Sequence, residues 1–228
     1  MTIPLEQASS TSGHFRYDGA TIRALCAAMS EERFATYLRM AKGDRRRALQ
    51  LYAQNAALGS AFHGPLQALE VTLRNAVHDA MTVTGGVRWF ESPQLDQPQQ
   101  DAVTKAKGKL DNGMAPHKPG RIVAELSFGF WVALFARRYD ESLWRTTLHQ
   151  CFDPTPPRRP LHDELNRLLA LRNRIAHHEP ILQRNLRGYH DAILWVLGML
   201  SPVMKHWVRH HSRVNEVLEQ PTYRMVRF

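Results

Sequence analysis

Apolar residues in this 228-residue chain return every three or four positions and nowhere alternate with polar ones over a useful length. A chain patterned this way buries its core as packed helices rather than as a sheet. Helical patterns run at about 18–28, 31–42, 45–62, 66–83, 98–111, 120–136, 139–151, 161–177, 186–199 and 203–219. Ser30 and Asp44 are placed to cap the second and third, because a short oxygen-bearing side chain there accepts from the orphan N–H groups of a first turn. Gly85 and Gly86 end the fourth, and 93–98 reads as a loop. The stretch CFDPTPPRRP at 151–160 reads as stiff and non-helical, a separator between an N-terminal block and the helices beyond it. Short connections between amphipathic helices predict an all-α antiparallel bundle. The expected organisation is a flexible tail at 1–16 followed by one helical domain at 17–228.

One helix carries more than packing information. If it starts near Leu161, then Leu161, Leu165, Leu168, Leu169, Leu171, Ile175 and Ala176 share a broad face, with Arg172 projecting near its middle. Five residues on, His177 projects about 140° away, on the side of Asn166 and Asn173. An arginine with a histidine is the pair needed to cleave RNA without a metal, one supplying fixed positive charge for the phosphate and the other moving protons near neutrality. On a regular helix the two side chains cannot meet on one phosphate. Either the helix distorts before Pro180, or Arg172 and His177 come together from different copies of the chain. The plainer reading is an arginine held by Glu70 or Glu164, and a histidine at a helix C-terminus where the dipole favours it.

A second polar strip lies on the helix expected at 66–83, where Glu70, Arg74 and His78 fall four residues apart along the edge of an apolar face. The strip either borders Arg172 and His177, with Glu70 orienting one of them, or closes on itself as a Glu70–Arg74 pair. His178 joins Glu70, Arg74 and His78 as a second tier of site residues. His206 and His210 have the i, i+4 spacing of zinc ligands, but no third ligand is suitably spaced, so a polar face is the expectation. No glycine-rich phosphate loop or nucleophile elbow is present, and no cofactor or metal is expected. The aromatics at 89–90 and 128–135 read as core packing before base stacking, and Trp89, following two glycines, is the best candidate among them for an exposed stacking surface.

The formal charge of +9 suits a polyanionic partner. Arginine outnumbers lysine 24 to 6, and guanidinium groups match phosphate forks better than ammonium groups. The basic residues gather at Arg45–Arg46–Arg47, Arg137–Arg138 and Arg158–Arg159, and in a C-terminal run of Lys205, Arg209, Arg213, Arg224 and Arg227. Arg45, Arg46, Arg137 and Arg138 are the RNA-binding candidates, and a solvated basic face is the competing explanation. Two cysteines, Cys26 and Cys151, make no disulfide framework, and the N-terminal residues lack a basic start with an apolar run, so a cytoplasmic protein without a signal peptide or membrane span is expected.

The segment LLALRNRIAHHEPI at 168–181 resembles the motif of the Abi-like (abortive infection) family of bacterial phage-defence proteins, within the HEPN superfamily of α-helical ribonucleases. PLQALEVTLRNAVHDAM at 65–81 and LSFGFWVALFARRYDESLW at 126–144 are similar to further parts of the same family, and together the three span most of residues 30–200. The superfamily signature is an arginine, a polar residue, three variable positions and a histidine, which Arg172, Asn173 and His177 match. The resemblance implies a HEPN-type bundle with additional N-terminal helices. It also implies metal-independent RNA cleavage by 2′-hydroxyl attack, a homodimer, and a neutralising antitoxin protein or RNA. A non-catalytic RNA-binding or antitoxin-like protein on the same scaffold is the alternative.

Overall fold

The computed structural model describes residues 15, 17–110 and 118–220. Among the described residues there are ten α-helices: α1 Gly19–Ala28, α2 Glu31–Met40, α3 Arg45–Gly85, α4 Gln97–Leu110, α5 Pro119–Glu125, α6 Phe128–Ala133, α7 Arg158–Ala176, α8 Leu186–Leu200, α9 Pro202–His211 and α10 Val214–Glu219. Among the described residues there is no strand. The tail expected at 1–16 lies, apart from Phe15, outside the described residues, as do Arg224 and Arg227 of the C-terminal basic run.

The chain divides into two compact units, one formed by residues up to Leu58 together with those from Val217, the other by Gly59–Glu216. In the first, Ser30 caps α2 by accepting from Arg33 N, and Asp44 accepts from Arg47 N at 3.0 Å at the start of α3. Phe34 and Tyr37 are buried, and Tyr37 meets Tyr52 edge-on at 5.2 Å. Burial pushes the Tyr37 phenol up to about 12.

The second unit contains every residue of the motif and of the Glu70 strip. Several sequence expectations change here. The patterns at 45–62 and 66–83 are one helix, α3, with Pro65 inside it. Proline removes one backbone hydrogen bond and ordinarily breaks a helix. In α3 the apolar stripe Phe62, Leu66, Leu69, Leu73, Val77 and Met81 is buried on both sides of Pro65 and keeps helical spacing through it. Packing therefore holds the helical path where local propensity would end it.

The second change concerns 120–151, expected as two helices. Instead α5 and α6 are separated by Leu126 and by Ser127, which has extended backbone, and 3₁₀ and π turns at Arg137–Tyr139, Asp140–Trp144 and Leu148–Cys151 follow. Phe128, Phe130, Trp131, Val132, Leu134 and Phe135 are all buried. On one straight helix continuous from α5 these and the buried Ile122, Val123 and Leu126 would point all around the axis, and a broken path lets each reach the core. Trp89 belongs to the same cluster: it is buried, with Trp131 and Phe130 at 6.0 and 6.3 Å, so it offers no exposed stacking face. Asp140 pins this region by pairing with both Arg145 and Arg158, and Arg158 also donates to Phe135 O at 2.7 Å. The 151–160 segment is non-helical only as far as Pro157. Arg158, Arg159 and Pro160 form the first turn of α7, where a missing N–H costs nothing.

Candidate active site at the C-terminal end of α7

Helix α7 is held by Leu161, Leu165, Leu168 and Leu171, each fully buried. It packs on α6 and α8. Toward α8, Arg167 lies over the Tyr189 ring at 4.2 Å and donates to Gly188 O at 3.0 Å. The buried stripe stops at Leu171, because Ile175 is only half-buried and Ala176 is exposed. Arg172 therefore does not sit within an apolar face, as the sequence pattern suggested. It emerges where that face ends, its side chain 40% exposed.

Of the two acids expected to hold Arg172, Glu70 is the one that does, with Arg172 Nε 3.7 Å from Glu70 Oε2. Glu164 is occupied by Arg167, one turn further along the same helix. The Glu70 strip on α3 thus opens toward α7 at one point only. Arg74 donates weakly to its neighbour Asn75 Oδ1 at 3.4 Å and forms no ion pair among the described residues. His78 lies about 12 Å along α3 from Glu70, and its Nδ1 accepts from Trp89 Nε1 at 3.0 Å. That bond requires an unprotonated Nδ1 and commits His78 to the aromatic core.

The end of α7 is built by a Schellman turn. His178 N donates to Ile175 O at 3.0 Å, and Glu179 N reaches back to Arg174 O at 2.8 Å. The left-handed residue such a turn needs is usually glycine. Here it is His178, with φ 57°. Arg174 adds an ion pair to Glu179 at 2.8 Å, so backbone and side chains fix the same turn. Arg174 escaped notice in the sequence, where only its spacing to Glu179 and the following Pro180 could have flagged it.

His177 precedes this turn. Its N–H still donates to Asn173 O at 2.9 Å, and its backbone (φ −93°, ψ 8°) stays close to the helical path. The distortion begins only at His178. The divergence of about 140° between Arg172 and His177 is therefore retained, and a bend before Pro180 does not bring them together. Asn173, His177 and His178 are exposed, and their side chains form no hydrogen bond or ion pair among the described residues.

The basic candidates differ in availability. Arg137 is exposed, whereas Arg138 is engaged by Asp96 at 2.5 Å and by Gln99 Oε1 at 3.2 Å, beside the Tyr139 ring. Arg45 and Arg46 belong to the other unit and are exposed, with Arg46 6.0 Å from the Tyr17 ring. Among the described residues, no three His, Cys, Asp or Glu side chains come together as a metal site, and no helix is long and apolar enough to cross a membrane.

Comparison of the chain with protein-family models, with curated proteins and with solved structures finds no match.

Proposed function

We propose that this chain is a metal-independent endoribonuclease of HEPN type, a cytoplasmic phage-defence or toxin-type effector whose helices form the antiparallel bundle of that superfamily with additional N-terminal helices. The observation that carries the reading is the state of the motif. Arg172 is half-exposed and steadied by one acid from another helix, while His177 and Asn173 stand unengaged at the same helix end.

In this reading His177 takes the proton from an RNA 2′-hydroxyl, whose oxygen attacks the adjacent phosphorus. The bond from phosphorus to the 5′-oxygen breaks, and a proton is returned to that oxygen. The products are a 2′,3′-cyclic phosphate and a 5′-hydroxyl. Arg172 stabilises the charge accumulating on the phosphoryl oxygens. Asn173 holds the phosphate or the imidazole, and Glu70 is a positioning residue that sets the Arg172 guanidinium. Because Arg172 and His177 diverge on one helix, a site containing both draws them from two copies related by a two-fold axis. The other partners are the RNA substrate and a neutralising antitoxin protein or RNA.

One observation favours the alternative, a non-catalytic RNA-binding or antitoxin-like protein: Glu70 already neutralises Arg172 and competes with a phosphate for it. Incubation of the purified protein with RNA in EDTA separates the two. Cleavage that yields cyclic-phosphate ends and disappears in His177→Ala, with RNA affinity retained, supports the nuclease. RNA binding without cleavage supports the alternative.

A further inference from the structure

The cleavage chemistry proposed above leaves one proton without a donor, the one returned to the 5′-oxygen. One histidine close to the motif is unused by it. His63 lies on α3, about two turns before Glu70. It is exposed, and its ring forms no hydrogen bond or ion pair among the described residues.

Two contacts fix the side of α3 on which His63 stands. A Cβ added at Gly59 would lie 3.6 Å from Ile175 Cγ2, and Glu70 Oε2 lies 3.7 Å from Arg172 Nε. Gly59 and Glu70 differ by only about 20° around the helix axis, and His63 is about 40° from Gly59. All three therefore share the side of α3 that meets the end of α7. Pro65 does not disturb this register, because Phe62, Leu66 and Leu69 stay buried at helical spacing across it. Gly59 and Glu70 are half-buried at the two contacts, whereas His63 and Gln67 between them are exposed. The two helices thus touch at both ends of a short opening, bounded by Ile175 at one end and by the Arg172–Glu70 pair at the other, with His63 between. About 6 Å of helix separates His63 from Gly59, and about 10 Å separates it from Glu70. A phosphoryl group that accepts from the guanidinium through one oxygen and takes a proton through another spans about 8 Å between the two side chains.

We propose that His63 is a further catalytic residue, the general acid that protonates the departing 5′-oxygen; the assignment rests on the ribonuclease reading. In an in-line displacement the 2′-oxygen enters opposite the leaving 5′-oxygen, so base and acid stand on opposite sides of the phosphorus. Arg172 and His177 meet on one phosphate only when they come from two copies. His63 shares a copy, and a side of α3, with the Arg172–Glu70 pair, so it faces His177 of the partner subunit across that phosphate. The His63 imidazolium gives its proton to the 5′-oxygen as the phosphorus–oxygen bond breaks, and the electron pair of that bond stays on the oxygen. His177 meanwhile holds the proton taken from the 2′-hydroxyl, and exchange with water returns both imidazoles to their starting states.

The test uses the full chain, a short RNA spanning one linkage that it cleaves, and the same RNA with sulfur in place of the 5′-oxygen at that linkage. A thiolate leaves without a proton, so it has no need of the acid. His63→Ala is expected to slow cleavage of the all-oxygen RNA by about 10²–10⁴-fold, with a loss on the sulfur RNA at least about tenfold smaller, whereas His177→Ala slows both alike. Because His63 is exposed, the Tm of His63→Ala stays within about 2 °C of the wild type. Mixing His63→Ala with His177→Ala restores part of the cleavage, since one site of the heterodimer keeps both histidines. Mixing His63→Ala with Arg172→Ala does not, since each site then lacks one of the two. Wild-type cleavage by His63→Ala, or equal losses on the two RNAs, overturns the acid role and leaves the nuclease standing. Failure of the wild-type chain to cleave any RNA removes the nuclease, and the role of His63 with it.

Discussion

Replacing Arg172 with alanine should cost little stability while abolishing function, and Leu168→Ala on the same helix should do the reverse in stability. Arg172 and Glu70 are 3.7 Å apart with side chains 40% and 25% exposed. An ion pair in that setting contributes about 0.2–1 kcal/mol, because water screens the attraction and both side chains lose rotamer freedom. Leu168 is fully buried, one turn before Arg172. Its truncation removes apolar contacts and leaves a cavity, at about 2–5 kcal/mol. For a chain of this length 1 kcal/mol shifts Tm by about 2–4 °C. Arg172→Ala therefore lowers Tm by at most about 4 °C, and Leu168→Ala by at least about 4 °C and as much as 20 °C. Calorimetric melts of the two variants, with RNA cleavage measured on the same preparations, test both halves. A loss in Arg172→Ala as large as that in Leu168→Ala would mean that the guanidinium is buried and that its removal strands Glu70. The half-exposed placement, and the role built on it, would then be wrong.

Three further outcomes follow from the same geometry. Mixing inactive Arg172→Ala with inactive His177→Ala should restore part of the cleavage, because a heterodimer keeps one site with both groups intact; a protein that cleaves RNA while strictly monomeric by light scattering would refute the two-copy site. His178→Gly should raise Tm by about 2 °C, since glycine relieves the cost of φ 57° at the end of α7, whereas His178→Ala should not; equal behaviour of the two would rule out backbone strain as the cause. His190 on α8 is buried, its Nε2 has no hydrogen-bond partner among the described residues, and burial and the Arg209 charge hold its pKa below 6.5 despite Asp191. His162 is shifted the same way, by burial and then by Arg158. The unfolded chain then binds more protons than the folded one, so stability falls as pH drops below 6.5 and levels off below the folded-state pKa. Melts from about pH 7.5 to about pH 5.5 should show this slope, reduced in His190→Leu; an undiminished slope would assign it to other groups.

The sequence by itself determined that the chain is helical, and it located α1, α2, α7 and α8 closely. It also marked Ser30 and Asp44 as caps, because apolar period and capping act within a turn or two of the chain. The same short-range logic named Arg172, Asn173 and His177, measured their divergence, and offered Glu70 as a partner. It could not choose between Glu70 and Glu164, since that choice depends on the register of α3 against α7, elements about a hundred residues apart in sequence. Tertiary packing likewise carried α3 through Pro65, where the buried stripe from Phe62 to Met81 outweighs a lost hydrogen bond. It also broke the 120–136 pattern at Ser127 so that apolar groups of α5 and α6 facing every direction could all be buried. It took Arg138 into Asp96 and Trp89 into the core, deciding for two ligand candidates between alternatives that the sequence left open. The left-handed His178 is of the same kind: glycine is the usual residue at such a position, and here the turn exists because Arg174 and Glu179 close it from both sides.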